Sequence, residues 1–401
     1  MRFLFTFLLT ATSFIAFSQA DVQKKLQRQL IMAEDGAVIT IDAGTFSILG
    51  SLSLEGKKNI TLRGAGMDKT VLSFKGQTDG AEGLRVSNAE NIILENLTVQ
   101  DAKGDAIKTM NVNGITFRNV KAEWTGEPKA TNGAYGLYPV MCTNVLIEGC
   151  TAIGASDAGI YVGQSKNIIV RNSRAYHNVA GIEIENSLMA DVYDNESTEN
   201  TGGVLVFDLP DLVQKKGGNV RVYNNNIHHN NFPNFAPKGN IVANVPQGTG
   251  VMILATNHVE IFNNKIISNN SIGTSIISYF MTENKIKDKD YYPYPTGIYI
   301  HDNVYQRDRV RYQGKGRMGQ LFRYKLRFGK KVPHIIYDGI IDEKNLENGQ
   351  IKTENRICIR NNQNASFANI DAANNFKKVS RDATAYDCTQ AALKQAVLSM
   401  K

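Results

Sequence analysis

The stretch Ile160-Tyr161-Val162-Gly163, Ile168-Ile169-Val170 and Asn172, followed by Ile182-Glu183-Ile184-Glu185, Asp191-Val192-Tyr193 and Asp194, decides the fold. Two short apolar runs and a corner residue return after roughly 23 residues, a period that fits one turn of a solenoid and is too short for a domain. Toward the N terminus the unit recurs at Leu137-Tyr138-Pro139-Val140, Ile107-Lys108-Thr109-Met110 and Leu84-Arg85-Val86-Ser87. Toward the C terminus it recurs at Val204-Leu205-Val206-Phe207 and Val251-Met252-Ile253-Leu254. Within each tetrad apolar residues alternate, the period of a strand with one buried face. The units are too short and too rich in Gly and Asn for helical repeats. They predict an all-β chain, a right-handed single-stranded parallel β-helix with coils about 4.8 Å apart and equivalent residues one above the next.

The corner column is Asn96, Asn119, Gly149, Asn172, Asp194, Asn224 and Asn263. Asn tolerates left-handed backbone at a tight corner, and stacked amides can hydrogen-bond along the axis. A second column, Asn178, Asn200, Asn230 and Asn269, marks another corner. Both columns read as architecture. A solenoid needs its open ends covered. Val22, Leu26 and Leu30 recur every fourth residue and predict an N-terminal capping helix. Thr389 to Met400 carries Ala392, Leu393, Ala396 and Val397 on one helical face, predicting a helix that caps or docks laterally. The division expected is residues 1–20 as a signal peptide, 21–282 as β-helix with its cap, and 283–401 as irregular basic coils and a cap.

The opening Met1-Arg2-Phe3-Leu4-Phe5 and the end Ser18-Gln19-Ala20 have the charge, apolar run and small residues of a leader cleaved after Ala20. That predicts a periplasmic or secreted protein. Of the four cysteines, Cys358 and Cys388 lie outside the repeats and can pair in an oxidising compartment; Cys150 reads as a buried small residue. The net charge is +7, and its excess is local: between Tyr305 and Lys331 there are ten Lys or Arg against one Asp. For an exported protein this points to an acidic polysaccharide or lipopolysaccharide rather than nucleic acid.

The opening coils, with Gly36, Gly44, "NITLRGAG" (Asn59–Gly66) and "TVLSF" (Thr70–Phe74), resemble the pectin-lyase-like right-handed β-helix superfamily, over about two-thirds of the chain when the repeats are included. The whole resembles exported bacterial parallel β-helix repeat proteins of undefined activity. The resemblance implies a fold shared by polysaccharide lyases, hydrolases, uronate epimerases and phage or adhesin domains, so it does not by itself imply one chemistry. The Asp-Pro-His-Asp signature of mannuronan epimerases, the Gly-His-Gly motif of polygalacturonases and the Arg-bearing signature of classical pectate lyases are absent.

Stacking brings the outward residues of the tetrads into one strip: Arg85, Lys108, Tyr138, Tyr161 and Glu183, with Glu185 beside them. Five coils span about 20 Å, a few sugar rings. Beyond Glu183 the strip turns apolar at Leu205, Phe207, Met252 and Leu254, where a loop is expected to cover it. Long insertions flank it at Thr125–Gly133, Asp208–Gly218 and Asn231–Thr249, the usual position of binding loops. Removing a proton alpha to a uronate carboxylate needs a base, an acid and a counter-charge. Lys108 or Tyr161 can serve as base, Tyr138 as acid and Arg85 as carboxylate clamp. Hydrolysis would instead use Glu183 and Glu185, about 7 Å apart on one strand. Trp124, Tyr135, Tyr138 and Tyr161 can stack on sugars; for Trp124 the alternative is a loop anchor. Asp157 and His177 border the strip. Arg323, Lys325 and Arg327 alternate with Phe322, Tyr324, Leu326 and Phe328, as in a strand whose cationic face either clamps a polyanion or, as a solvated edge, blocks sheet-to-sheet aggregation. No metal-ligand spacing is present and no cofactor is expected, with calcium at corner carboxylates left open. The readings are a carbohydrate-active protein with lyase or C5-epimerase chemistry, a non-catalytic envelope scaffold, and a basic appendage docking an envelope protein.

Overall fold

A computed structural model describes residues 19–307 and 320–399. Residues 1–18, which hold most of the expected leader, the cationic run at 308–319 and the last two residues lie outside the described residues. Among those described, eleven parallel strands form one face of a right-handed parallel β-helix, from Gly50–Glu55 to Phe367–Asn369. The other two faces join as a nineteen-stranded sheet, because Glu90–Gln100 and Asn113–Glu123 run through the corner between them. Register is strict: Ile160 pairs with Ile182, Ile182 with Val204 and Val204 with Val251, all fully buried. One coil's inward side chain thus sits on the next, and the core is a column of aliphatic layers.

The corners divide two tasks between neighbouring residues. Asn96, Asn119, Asn172, Asp194, Asn224 and Asn263 hold φ between 50° and 59°. That left-handed backbone costs most other residues about 1–2 kcal/mol. After Asp194, Asn224 and Asn263 the next residue is an inward Asn that builds a buried ladder. Asn225 Oδ1 accepts from both N–H and Nδ2 of Asn195 at 3.0 Å; Asn264 serves Asn225 and Asn303 serves Asn264 in the same way. Asn178, Asn200, Asn230 and Asn269 form the equivalent ladder at another corner.

The predicted cap is the helix Gln19–Met32. Leu26 and Leu30 are buried on the first coil, while Gln23 and Gln27 accept from the backbone N–H groups of Leu49 and Ser53 at 2.9 Å. The helix therefore hides apolar surface and satisfies an edge strand at once.

Beyond residue 283 the chain stays on the stack. Thr296–His301 pairs with Asn257–Phe262 on one side and Ile357–Arg360 on the other, with longer connections between rungs. Cys358 and Cys388 form a disulfide; Cys142 and Cys150 are free and buried.

Two C-terminal expectations are corrected. Residues 321–328 are not a strand: Leu321–Lys325 is a short helical turn, closed by the N–H of Leu326 on the carbonyl of Leu321 at 2.8 Å. Phe322 and Phe328 are buried against Ile272, Val332 and Ile336, whereas Tyr324 is 67% exposed, so no alternating face forms. Lys325 reaches the Asn375 side chain, and Arg327 donates to the Tyr324 carbonyl; the side chain of Arg323 lies outside the described residues. The planar cationic face is therefore not formed, because the aromatics gain more burial in a turn than on an unpaired strand. The segment after Cys388 is likewise extended rather than helical, with the N–H groups of Leu393 and Ser399 donating to side chains of the solenoid wall.

A carboxylate and phenol cluster on the outer wall

Parallel pairing sets Arg85 beside Lys108, Lys108 beside Tyr138, and Tyr161 beside Glu183. The Tyr138 and Tyr161 rings meet edge to face at 5.0 Å, completing the strip. Its two ends differ sharply in exposure. Arg85, Lys108, Tyr135 and Tyr138 are half-buried, whereas Tyr161, Glu183 and Glu185 are 3%, 1% and 7% exposed.

The covering comes from the insertions. Val242 and Val245 of the long loop pack with Tyr161, Leu205, Phe207, Met252 and Leu254 in an apolar cluster outside the coil, joined by Tyr279 and Tyr291 from the connection near residue 285. Asn240 of that loop donates to Asp157 Oδ2 at 3.0 Å. Tyr291 donates to the Asp208 backbone carbonyl at 2.5 Å.

Tyr161 donates its hydroxyl to Glu185 Oε1 at 2.6 Å, its ring folded back over Gly163, where a Cβ would overlap it. Both oxygens of Glu183 are buried with no hydrogen-bonding partner among the described residues, and the buried Asp208 carboxylate has only the Gly217 backbone N–H beside it. Burial pushes each acid upward: Asp157, Glu185 and Asp208 to about 7, and Glu183 well above its ordinary value. Neighbouring carboxylates reinforce this for Asp157 and Glu183. Below pH 7 these acids are mostly neutral, which lets so many pack together without cations.

At the open end Lys108 Nζ stands 3.8 Å from both Glu82 and Asp105, and 5.0 Å from the centre of the Tyr138 ring. Burial raises Asp105 to about 6, opposed by Lys108 and by a hydrogen bond from the Tyr135 backbone. Burial and the nearby carboxylates raise the Tyr138 and Tyr135 phenols. Tyr135 lies between Tyr138 and Tyr161, 4.4 Å from each ring centre.

Several sequence-derived residues thus come together, but the accessible site is smaller than the strip. Tyr161 is sealed and already bonded, so it cannot act as an exposed base. Glu183 and Glu185 are on one side as expected, yet under the loop. Trp124 is 6% exposed and donates its indole N–H to the Ala102 carbonyl at 2.7 Å; it anchors its loop and offers no stacking face. His177 pairs with Glu199 at 3.2 Å and packs near Phe232, outside the cluster. Asp105, Glu82, Asp208 and Asn240 were missed. Asp105 shares its register position with Tyr135 of the next coil, just outside the tetrads, and that was the available signal. Asn240 carries none, since only the loop's fold brings it here. Among the described residues no cluster of three His, Cys, Asp or Glu has metal-holding geometry.

A family model described as a right handed beta helix region matches residues 53–211. No curated protein matches the sequence. Among solved structures, the A-module of the Azotobacter vinelandii mannuronan C-5 epimerase AlgE4 aligns with TM-score 0.56 at 15% identity, over 86% of this chain and 90% of that one. The AlgE6 A-module of the same organism gives 0.48 at 16% identity over 72% and 82%, and pectate lyase Pel9A gives 0.43 at 13% over 70% and 69%. The register, the corner ladders, the family match and the AlgE4 likeness agree on the architecture: the chain is a right-handed parallel β-helix protein.

Proposed function

We propose that this is an exported carbohydrate-active protein that binds an acidic polysaccharide at the open end of the strip and acts on it by proton transfer, as a lyase or C5-epimerase. One observation carries the reading: Asp105, pushed up to about 6, lies beside Lys108 and is electrostatically coupled to the raised Tyr138 phenol, all half-exposed on adjacent rungs. Perturbed acids beside cations in a partly dry site are a mark of catalytic surfaces. The naming of the AlgE4 module as a mannuronan epimerase supports the substrate class.

In this reading Arg85 holds the uronate carboxylate and Lys108 neutralises the charge that builds on it. Asp105, ionised above pH 6, takes the proton alpha to the carboxylate. Tyr138, still protonated, gives a proton either to the opposite face of that carbon, inverting it, or to the departing glycosidic oxygen, leaving a double bond. Three exposed rungs cover about 10 Å, so the reacting sugar and one neighbour are bound here.

Incubating the protein with mannuronan, guluronan and polygalacturonan separates the outcomes. A lyase generates the ultraviolet absorbance of an unsaturated uronate; an epimerase changes the uronate ratio seen by proton NMR. If neither appears on any polyuronate, and the Asp105→Asn variant binds and behaves as the parent does, the proposal fails and the strip is a scaffold surface.

A further inference from the structure

The last segment of the chain departs from Cys388, which is tied to Cys358, and runs along the outer wall across the strands. Gln390 Nε2 donates to the carbonyls of Thr353 and Arg356 at 3.0 and 2.9 Å. The Leu393 N–H donates to Glu260 Oε2 at 3.1 Å, the Ala396 N–H to the Asp191 carboxylate, and the Ser399 N–H to Asn144 Oδ1 at 3.1 Å. Contacts fall on every third residue.

Each step of three also moves two coils along the solenoid. Glu260 and Asp191 are separated by the strand carrying Arg221, and Asp191 is separated from the Asn144 strand by the strand carrying Ile169. Two coils advance about 9.6 Å. Three residues of a threefold extended chain advance about 9.3 Å. The two advances match along the axis, while the last contact also shifts two residues along its strand, because Leu146 rather than Asn144 stands in the Asp191 column.

The wall brings its own acceptors. Asp191 and Glu260 are 4% exposed and are held by Arg221, at 3.1 and 3.7 Å. The strap contributes backbone N–H groups, and its one buried residue is Ala396. Recognition therefore reads the geometry of an extended backbone and the size of one residue, not a charged or aromatic anchor.

We propose that this wall is a docking track for an extended peptide with a small residue at its central contact, and that the C-terminal segment is its built-in occupant. Tethered beside the track, the segment acts at an effective concentration in the millimolar range. A free peptide competes once the segment is evicted.

The test uses the full chain carrying Ala396→Glu, which forces a charge into the buried contact. A fluorescent peptide spanning residues 389–399 is titrated against it and followed by anisotropy. The evicted chain should lose amide exchange protection at 393, 396 and 399 and bind the peptide saturably. The unaltered chain should bind it at least about 100-fold more weakly, because its own segment competes. A peptide that itself carries Ala396→Glu should not bind. Leu393→Pro with Ser399→Pro in the full chain gives a second eviction that removes two donors without adding charge. If the native peptide fails to bind either evicted chain while the β-sheet circular dichroism is retained, or if both peptides bind alike, the track does not exist and the segment is only a brace.

Discussion

At the scale of single residues, the outer wall gathers acids whose ionisation burial resists. Asp208 has both carboxylate oxygens buried, and burial, only partly offset by the Gly217 backbone N–H, raises its pKa to about 7. An acid raised in this way stabilises the fold below its ordinary value near 4 and loses that contribution as pH climbs through 7. Together with Asp157, Glu183 and Glu185, it makes the protein less stable at pH 8 than at pH 5, which thermal unfolding across that window measures. Asp208→Asn should flatten the slope and raise stability at pH 8 by on the order of 2 kcal/mol; an unchanged slope would mean that the acid is already ionised or hydrated. At the open end, Tyr138→Phe removes only a hydroxyl. If the proposed proton transfer is right, activity on the responsive polyuronate falls by roughly 10²- to 10⁴-fold with little change in binding.

Elements here are rungs, and each owes its stability to the rung above. Along one outward column Arg63, Glu95, Arg118, Glu148 and Arg171 follow in register, alternating in sign and bridging at 3.5 Å or less. The column then becomes a stack of Tyr193, Tyr223 and Phe262, with ring centres 4.8 Å apart. That distance is the coil spacing itself, so parallel stacking is the geometry that register imposes. The corner Asn pairs predict a contrast between neighbours. Asn225→Ala removes a ladder amide and leaves buried partners unsatisfied, costing about 2–4 kcal/mol. Asn224→Ala strains a left-handed corner and costs about 1 kcal/mol, whereas Asn224→Gly is close to neutral. Urea unfolding of the three variants checks the order; equal losses at both positions would show that the ladder adds nothing beyond backbone geometry.

For the whole molecule, a stack in which each coil touches only its neighbours frays from its ends. The Cys358–Cys388 disulfide, with a sequence separation of 30, pins the C-terminal end. Closing a loop of that size is worth about 3 kcal/mol. Reduction should therefore accelerate hydrogen exchange in the coils after residue 296 and leave the coils around Ile160 protected; uniform acceleration would mean that the stack unfolds as one unit. Period-two alternation and a unit of roughly 23 residues were enough to fix the β-helix, its register and the vertical alignment of Arg85, Lys108, Tyr138, Tyr161 and Glu183, because stacked parallel strands leave one way to superpose equivalent residues. The amphipathic spacing of Val22, Leu26 and Leu30 also marked the cap. What the repeat does not encode is what lies over it. The sealing of Tyr161 and Glu183 under the loop that carries Val242, the arrival of Asn240 at Asp157, the turn that hides Phe322 and the extended course of the segment through Ala396 all belong to chain outside the period. Such segments settle where apolar surface and backbone donors find partners distant in sequence, so the strip was legible from the sequence and the part of it that remains open was set by tertiary packing.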